Sequence, residues 1–326
     1  MRVRQVLPRD AIPSVDDPTF APDHEGDPTD EVIVLPSASA PRAYPVRFLH
    51  YHEIVNDRVA IESRDGGGRE ERPVAVTWCP LCGSAVVYDA VVDGRELTFG
   101  VSGKLADDDL VMYDRETESE WKQSRGECIT GAFEGTVLDV LPAGMSTWER
   151  FRERYPDAVV LQPPGGKSEV SGPGDEPREV EYDADPYDDY FEAEGFGLGA
   201  HRGQGGRDGE REDIDPKEVV AGIEAGDEAI GVPLRAVEEA GGALELAVGG
   251  RDVVVFAGGG GLHAFENPGH EFEPVGDGSF RADGTTWDGE TGEAADGREL
   301  DRVPIRRLFA FAWQDDHGPG AFYGLD

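Results

Sequence analysis

Cysteine is scarce in this chain: three in 326 residues, Cys79, Cys82 and Cys128. Three thiols cannot frame a disulfide-stapled fold, and in a reducing compartment they point to metal binding or thiol chemistry. Lysine is nearly as rare, with only Lys104, Lys122, Lys167 and Lys217. Long apolar runs are lacking too. No stretch approaches the ~18 apolar residues of a membrane span, and "MRVRQVLPRDAIPSVDD" carries no apolar run behind its arginines. These absences predict a cytoplasmic protein with no membrane insertion. Nucleotide signatures also fail. "GVSGKL" lacks the second half of a phosphate loop, "FAGGGGLHAF" lacks the spaced glycines of a dinucleotide fingerprint, and no Gly-x-Ser-x-Gly occurs. No nucleotide cofactor is expected.

Positive charge is the other shortage. Sixty-eight acidic residues stand against 30 basic ones, a formal net charge of -38, spread along the chain instead of gathered in a tail. Such an even, lysine-poor acidity resembles proteins of salt-accumulating halophiles, where ionic strength screens self-repulsion. It repels phosphate backbones, so no nucleic-acid partner is expected.

What is present reads as a strand-rich α+β fold. Residues 1–29 form an irregular lead-in rich in Pro and Asp. "EVIVL" is a strand, and "RAYPVRFLHYHEIVND" predicts a helix with Pro45 at its first position. Asp93-Gly94 marks a two-residue hairpin, and Ser146 with Glu149 has capping-box spacing before "TWERF". Residues 162–216 read as an acidic, Gly-rich linker, partly packed through the aromatics of "DPYDDYF".

Beyond the linker the pattern returns. "KEVVAGIEAGDEAIGVPLRAV" echoes "DEVIVLPSASAPRAYPVRFL", "DVVVFAGGGGLHAF" echoes "AVTWCPLCGSAVV", and "TTWDGETGEAADG" echoes "SEWKQSRGECITG". Two related halves from a degenerate duplication are expected, residues 30–161 and 217–326. In this register His52 falls opposite Ala240, Cys79 opposite Ala257, Cys82 opposite Gly260 and Cys128 opposite Ala294. All three cysteines and His52 are thus confined to the first half, which favours a site over core filling.

A Cys-x-x-Cys pair on a turn places both sulfurs on one ion, or closes a small redox disulfide. Pro80 and Gly83 supply the turn. His52, one helical turn from Phe48, is the third ligand expected, with Trp78 as cover, and Cys128 completes a Cys3His set suited to zinc or copper. Glu53 either orients the neighbourhood of the site or is a solvated helix carboxylate. Asp108, Asp109 and Asp114 form a carboxylate cluster, for acid/base work or a hard cation, or as solvated turns. The leading expectation is a soft-metal site at Cys79, Cys82 and His52. The alternatives are a dithiol oxidoreductase, in which one cysteine attacks and the other resolves, and a scaffold whose cysteines only pack.

At "AYPVRFLHYHEIVND", "PVAVTWCPLCGSAVVYD", "LTFGVSGKLADDDLVMYDRETESEWKQ" and "DPYDDYF" the sequence resembles an uncharacterised prokaryotic family, domain of unknown function 3179, in a haloarchaeal-type form. The resemblance places "HEIVND" on His52 to Asp57 and "CPLCGSA" on Cys79 to Ala85. It brings no established activity.

Overall fold

The computed structural model describes residues 1–36, 40–62, 68–171, 177–209 and 211–324. The chain is strand-rich, with several sheets and short helices. Strand Glu31–Leu35 pairs antiparallel with Arg42–Pro45, and helix Val46–His52 follows. Pro45 is the residue just outside that helix and not its first member. Its fixed φ of -60° aims the chain into the helix at Val46. A three-strand meander comes next: Ile54–Glu62, Arg69–Cys79 and Ser84–Asp89. Val, Ile and aromatic residues fill it because their side chains pack well on a pleated surface. Val91–Val92 and Arg95–Glu96 then close a small hairpin around Asp93-Gly94, both at positive φ as a two-residue turn requires.

Strands Phe99–Ala106, Asp109–Asp114, Glu120–Lys122 and Glu127–Thr130 build a second antiparallel ladder. The first half ends when Gly144–Thr147 returns to pair with Glu31–Leu35 and runs into helix Trp148–Arg154. The expected capping box is not made. Thr147 precedes the helix without a side-chain cap bond, while Ser146 lies buried in the returning strand, opposite Val32.

From residue 219 the order of elements is similar. Val219–Ala225 pairs with Glu228–Pro233 and helix Leu234–Glu239 follows. A meander of Ala243–Val248, Arg251–Gly258 and Gly261–Glu266 is next, then a ladder of Glu273–Gly276, Ser279–Ala282 and Thr285–Asp288. Arg306–Phe309 returns to Val219–Ala225 and enters helix Ala310–His317. Pro45 and Pro233 each precede a short helix. Trp121 faces Cys128 across one ladder as Trp287 faces Ala294 across the other.

The halves interlock. Arg307 of the second half's returning strand pairs with Ala85 of the first half's meander, giving one six-stranded sheet. Phe309 N donates to Cys82 O at 2.7 Å, and Thr147 N donates to Gly259 O at 3.0 Å. That reciprocity sets Gly259, and not Gly260, opposite Cys82. The Gly259-Gly260 turn is also two residues shorter than Pro80–Gly83, judged by the Gly258/Gly261 and Cys79/Ser84 pairs that bound them.

Between the halves, Tyr187, Tyr190 and Phe196 are buried, flanked by the short helices Asp188–Glu192 and Gly197–His201. Residues 172–176 and 210 of the expected linker lie outside the described residues.

Candidate functional site

Cys79 ends a central strand, and Cys82 sits in the turn that leads to the next one. Both are free thiols, 2% and 0% exposed. Gly83 turns the chain at φ +53°. A Cβ there would lie 2.7 Å from the Phe309 ring, so only glycine fits between the turn and the second half. The carbonyls of Leu81 and Cys82 are held by Tyr190 Oη (2.6 Å) and Phe309 N (2.7 Å). Segments from three parts of the chain thus fix the position of the pair.

The third member arrives from the neighbouring ladder. Asp107 and Asp108 make a tight turn at φ +53° and +67°, which delivers Asp109 into the interior. One ligand atom each from Cys79, Cys82 and Asp109 lies within 4.8 Å of the other two. Asp109 Oδ2 accepts from Ser124 N at 2.9 Å, whereas Oδ1 is buried with no hydrogen-bond partner. Cys82 Sγ sits 3.5 Å from Asp108 O.

Burial dominates the electrostatics here because a charge loses its hydration when enclosed. It raises the Cys79 thiol, an effect moderated by the hydrogen bond from Cys82. It raises Cys82 further, and Cys79 adds to that shift. The Asp109 carboxyl is pushed up to about 6 by burial despite the nearby Lys122 ammonium. Glu53 is pushed up to about 8 by burial and then by Asp109.

Glu53 differs most from its sequence reading. It is 7% exposed, not solvated. It leaves helix Val46–His52 at φ +58°, its N donating to Leu49 O and its carbonyl accepting from Trp78 N, each at 2.8 Å. That reversal turns residue 53 away from the path of residue 52. His52 spends both ring nitrogens elsewhere, Nδ1 at 2.8 Å from Pro13 O and Nε2 at 2.7 Å from Tyr182 Oη. It is not a member of the dithiol group. Cys128 lies opposite Trp121 with its Sγ 3.4 Å from Thr130 O, and is likewise not a member.

Two further expectations shift. Trp78 packs in the core layer with Tyr44, Leu49 and Val76, whereas Cys79 and Cys82 belong to the layer holding Met112 and Trp121. Adjacent strand residues point to opposite faces, so Trp78 cannot cover its neighbour's sulfur. The carboxylate cluster divides as well. Asp114 binds Trp121 Nε1 and the Thr117 turn, Asp108 pairs with Arg4, and only Asp109 joins the thiols.

Cys79 and Glu53 line a pocket of about 670 Å³, walled by Ile12, Val101, Leu110 and Leu198 and bounded by Tyr187. That volume is in the ordinary range for small-molecule sites. A second cavity of similar volume, beside Arg47 and His50, is crossed by Arg47 ion pairs to Asp30 and Asp183.

Fold and site together define a strand-rich protein with a buried dithiol and carboxylate, of which Cys79 lines a pocket. The chain belongs to the family described as Protein of unknown function (DUF3179), which matches residues 9–320. No curated protein and no solved structure matches the chain. Among the described residues, no helix is long and apolar enough to cross a membrane.

Proposed function

We propose that the protein binds a thiophilic metal ion through Cys79, Cys82 and Asp109, with a coordination position reachable from the pocket that Cys79 lines. One observation carries the reading: Asp109 Oδ1 is buried without a hydrogen-bond partner beside two buried thiols. An acceptor left bare in the interior costs about 1–3 kcal/mol, more when charged, and a cation supplies what the hydrogen bonds do not. Two thiolates and a carboxylate favour zinc over copper(I), because the hard oxygen suits the borderline ion and not the soft one. Ligation would also lower the thiols, whose protons leave when metal binds.

Elemental analysis of protein purified in high salt without chelator tests this. Close to one equivalent of zinc per chain is expected in the wild type, with loss in Cys79→Ser/Cys82→Ser and a marked fall in Asp109→Asn. A metal-free wild type would sink the proposal.

The second reading, a dithiol oxidoreductase, rests on Cys79 lining the pocket while Cys82 lies behind it and donates to it. Stoichiometric metal with thiols inert to iodoacetamide until chelation favours the first reading. Metal-free protein that alkylates at Cys79 alone favours the second.

The shared strand path of the halves supports descent from a duplicated unit. Superposing residues 31–154 on 219–317 in a crystal structure should bring Trp121 onto Trp287. The acidic surface is read as an adaptation to high ionic strength. Melting temperature is expected to rise by more than about 10 °C between dilute and molar KCl as self-repulsion is screened, and a flat response would remove that reading.

A further inference from the structure

Glu53 has no role in the metal proposal, yet it is the most enclosed carboxyl facing the pocket. Its side-chain Oε2 is buried and has no hydrogen-bond partner. The backbone fixes it from both sides, through Leu49 O and Trp78 N, in a positive-φ conformation that a non-glycine residue adopts at a cost. A carboxyl whose backbone is fixed and whose oxygen is unpartnered, on the lining of a pocket with apolar walls on part of its surface, is arranged for a donor that arrives from outside.

We propose that this pocket is a binding site for a small primary amine, with its alkyl body against Ile12, Val101, Leu110 and Leu198 and its ammonium donating to Glu53. The neighbouring groups select that head. Glu53 and Glu169 both line the pocket and Asp109 acts on Glu53 from close by, so a cation is favoured and an anion opposed. The lysine on the lining, Lys104, is committed to Glu120 at 2.6 Å, and Arg202 stands exposed at the rim. Binding sends the proton that the enclosed carboxyl holds at neutral pH out to solvent, and the ammonium on the resulting carboxylate makes a charge-assisted hydrogen bond, about twice as strong as the neutral bond an alcohol would offer. Tyr187 adds an aromatic surface, which also favours cations. The proposal does not depend on the metal: two thiolates and a carboxylate around a divalent ion still leave a net negative charge.

Titration calorimetry of the full chain in molar KCl, with n-hexylamine, n-hexanol and hexanoate as probes, tests the idea. Hexylamine is expected to bind at one per chain, at least about tenfold more tightly than either of the others. Glu53→Gln should lose about that factor, and Glu153→Gln, at an exposed helix position, should lose none. Leu198→Trp fills the pocket from its wall without removing the carboxyl, and should abolish binding of the amine even if Glu53→Gln proves unstable. Equal affinity for the three probes, an unaffected Glu53→Gln variant, or many weak equivalents spread over the surface would each overturn the assignment. Metal content measured on the same samples separates failure here from failure of the metal reading.

Discussion

Lys122→Met is expected to lose about 3–5 kcal/mol of folding stability, the usual result of removing one partner from a buried ion pair. Lys122 Nζ lies 2.5 Å from Asp316 Oδ1, and the two side chains are 4% and 2% exposed. Burial by itself would lower the ammonium, but Asp316 and then Asp109 outweigh it and hold Lys122 above its ordinary range. Without the lysine, Asp316 keeps only the Ser124 hydroxyl at 2.6 Å, and Asp109 loses the cation that restrains its upward shift. Metal affinity should therefore fall together with stability.

An internal control stands at the equivalent place in the second half. Asp288 follows Trp287 as Lys122 follows Trp121, and it pairs with Arg154 at 2.7 Å with the charges reversed. That pair is 24% and 21% exposed, so Arg154→Met should cost only about 1 kcal/mol. The check is the urea midpoint in high salt for both variants and for Lys122→Met/Asp316→Leu. The double variant should recover much of the loss, because an apolar pair leaves no bare charge. Equal, small effects of Lys122→Met and Arg154→Met would contradict the account.

The second large effect concerns pH in chelator-treated protein. Glu53 has a folded pKa of about 8 against 4.5 for the free side chain. Between those values the folded state holds a proton that the unfolded chain releases, so stability falls as pH rises. The contribution is fully present below about pH 4.5 and is gone above about pH 8, a loss on the order of 5 kcal/mol at 1.36 kcal/mol per unit. Asp109, at about 6 against 3.8, adds a slope of the same sign across the acid part of that window. Urea midpoints from pH 5 to 9 should decline in the wild type and flatten above pH 6 in Glu53→Gln. With saturating zinc, Asp109 and the thiols should contribute the opposite trend, since their protons compete with the ion. An identical decline in wild type and Glu53→Gln would show that the carboxyl is not held in this way.

Under the proposed duplication, the lack of a second cysteine pair has a structural reason at Gly259. A Cβ at that position, which matches Cys82 by its hydrogen bond, would meet Glu290 Oε2 at 2.5 Å. In the second half a carboxylate side chain already occupies the space next to the turn, and the turn is too short for two residues between cysteines. The sequence showed the cysteines missing from that half, but not that the volume was filled.

Local patterns were legible because local physics dictates them. Alternating Val and Ile make the meander, Asp93-Gly94 closes its hairpin, and Pro45 and Pro233 mark two helix starts that sequence alone could align. The pairing of Cys79 with Cys82 was equally plain from their spacing. The third member of the cluster was not. His52 looked right because it lies on the buried side of its helix, but Pro13 and Tyr182 take both of its nitrogens. Glu53 and Asp109 both looked like solvent residues in so acidic a chain.

The sequence by itself therefore determined many of the strands and turns and the spacing of the two thiols. Tertiary structure alone decided which acid meets the thiols and which faces the pocket. A left-handed residue at 53, a two-aspartate turn before 109 and strand pleating around 78 set the direction of each side chain. Asp316, 194 residues from the lysine it binds, comes from the last helix of the other half. Such partners are fixed by how sheets interlock, a long-range property that no local pattern encodes.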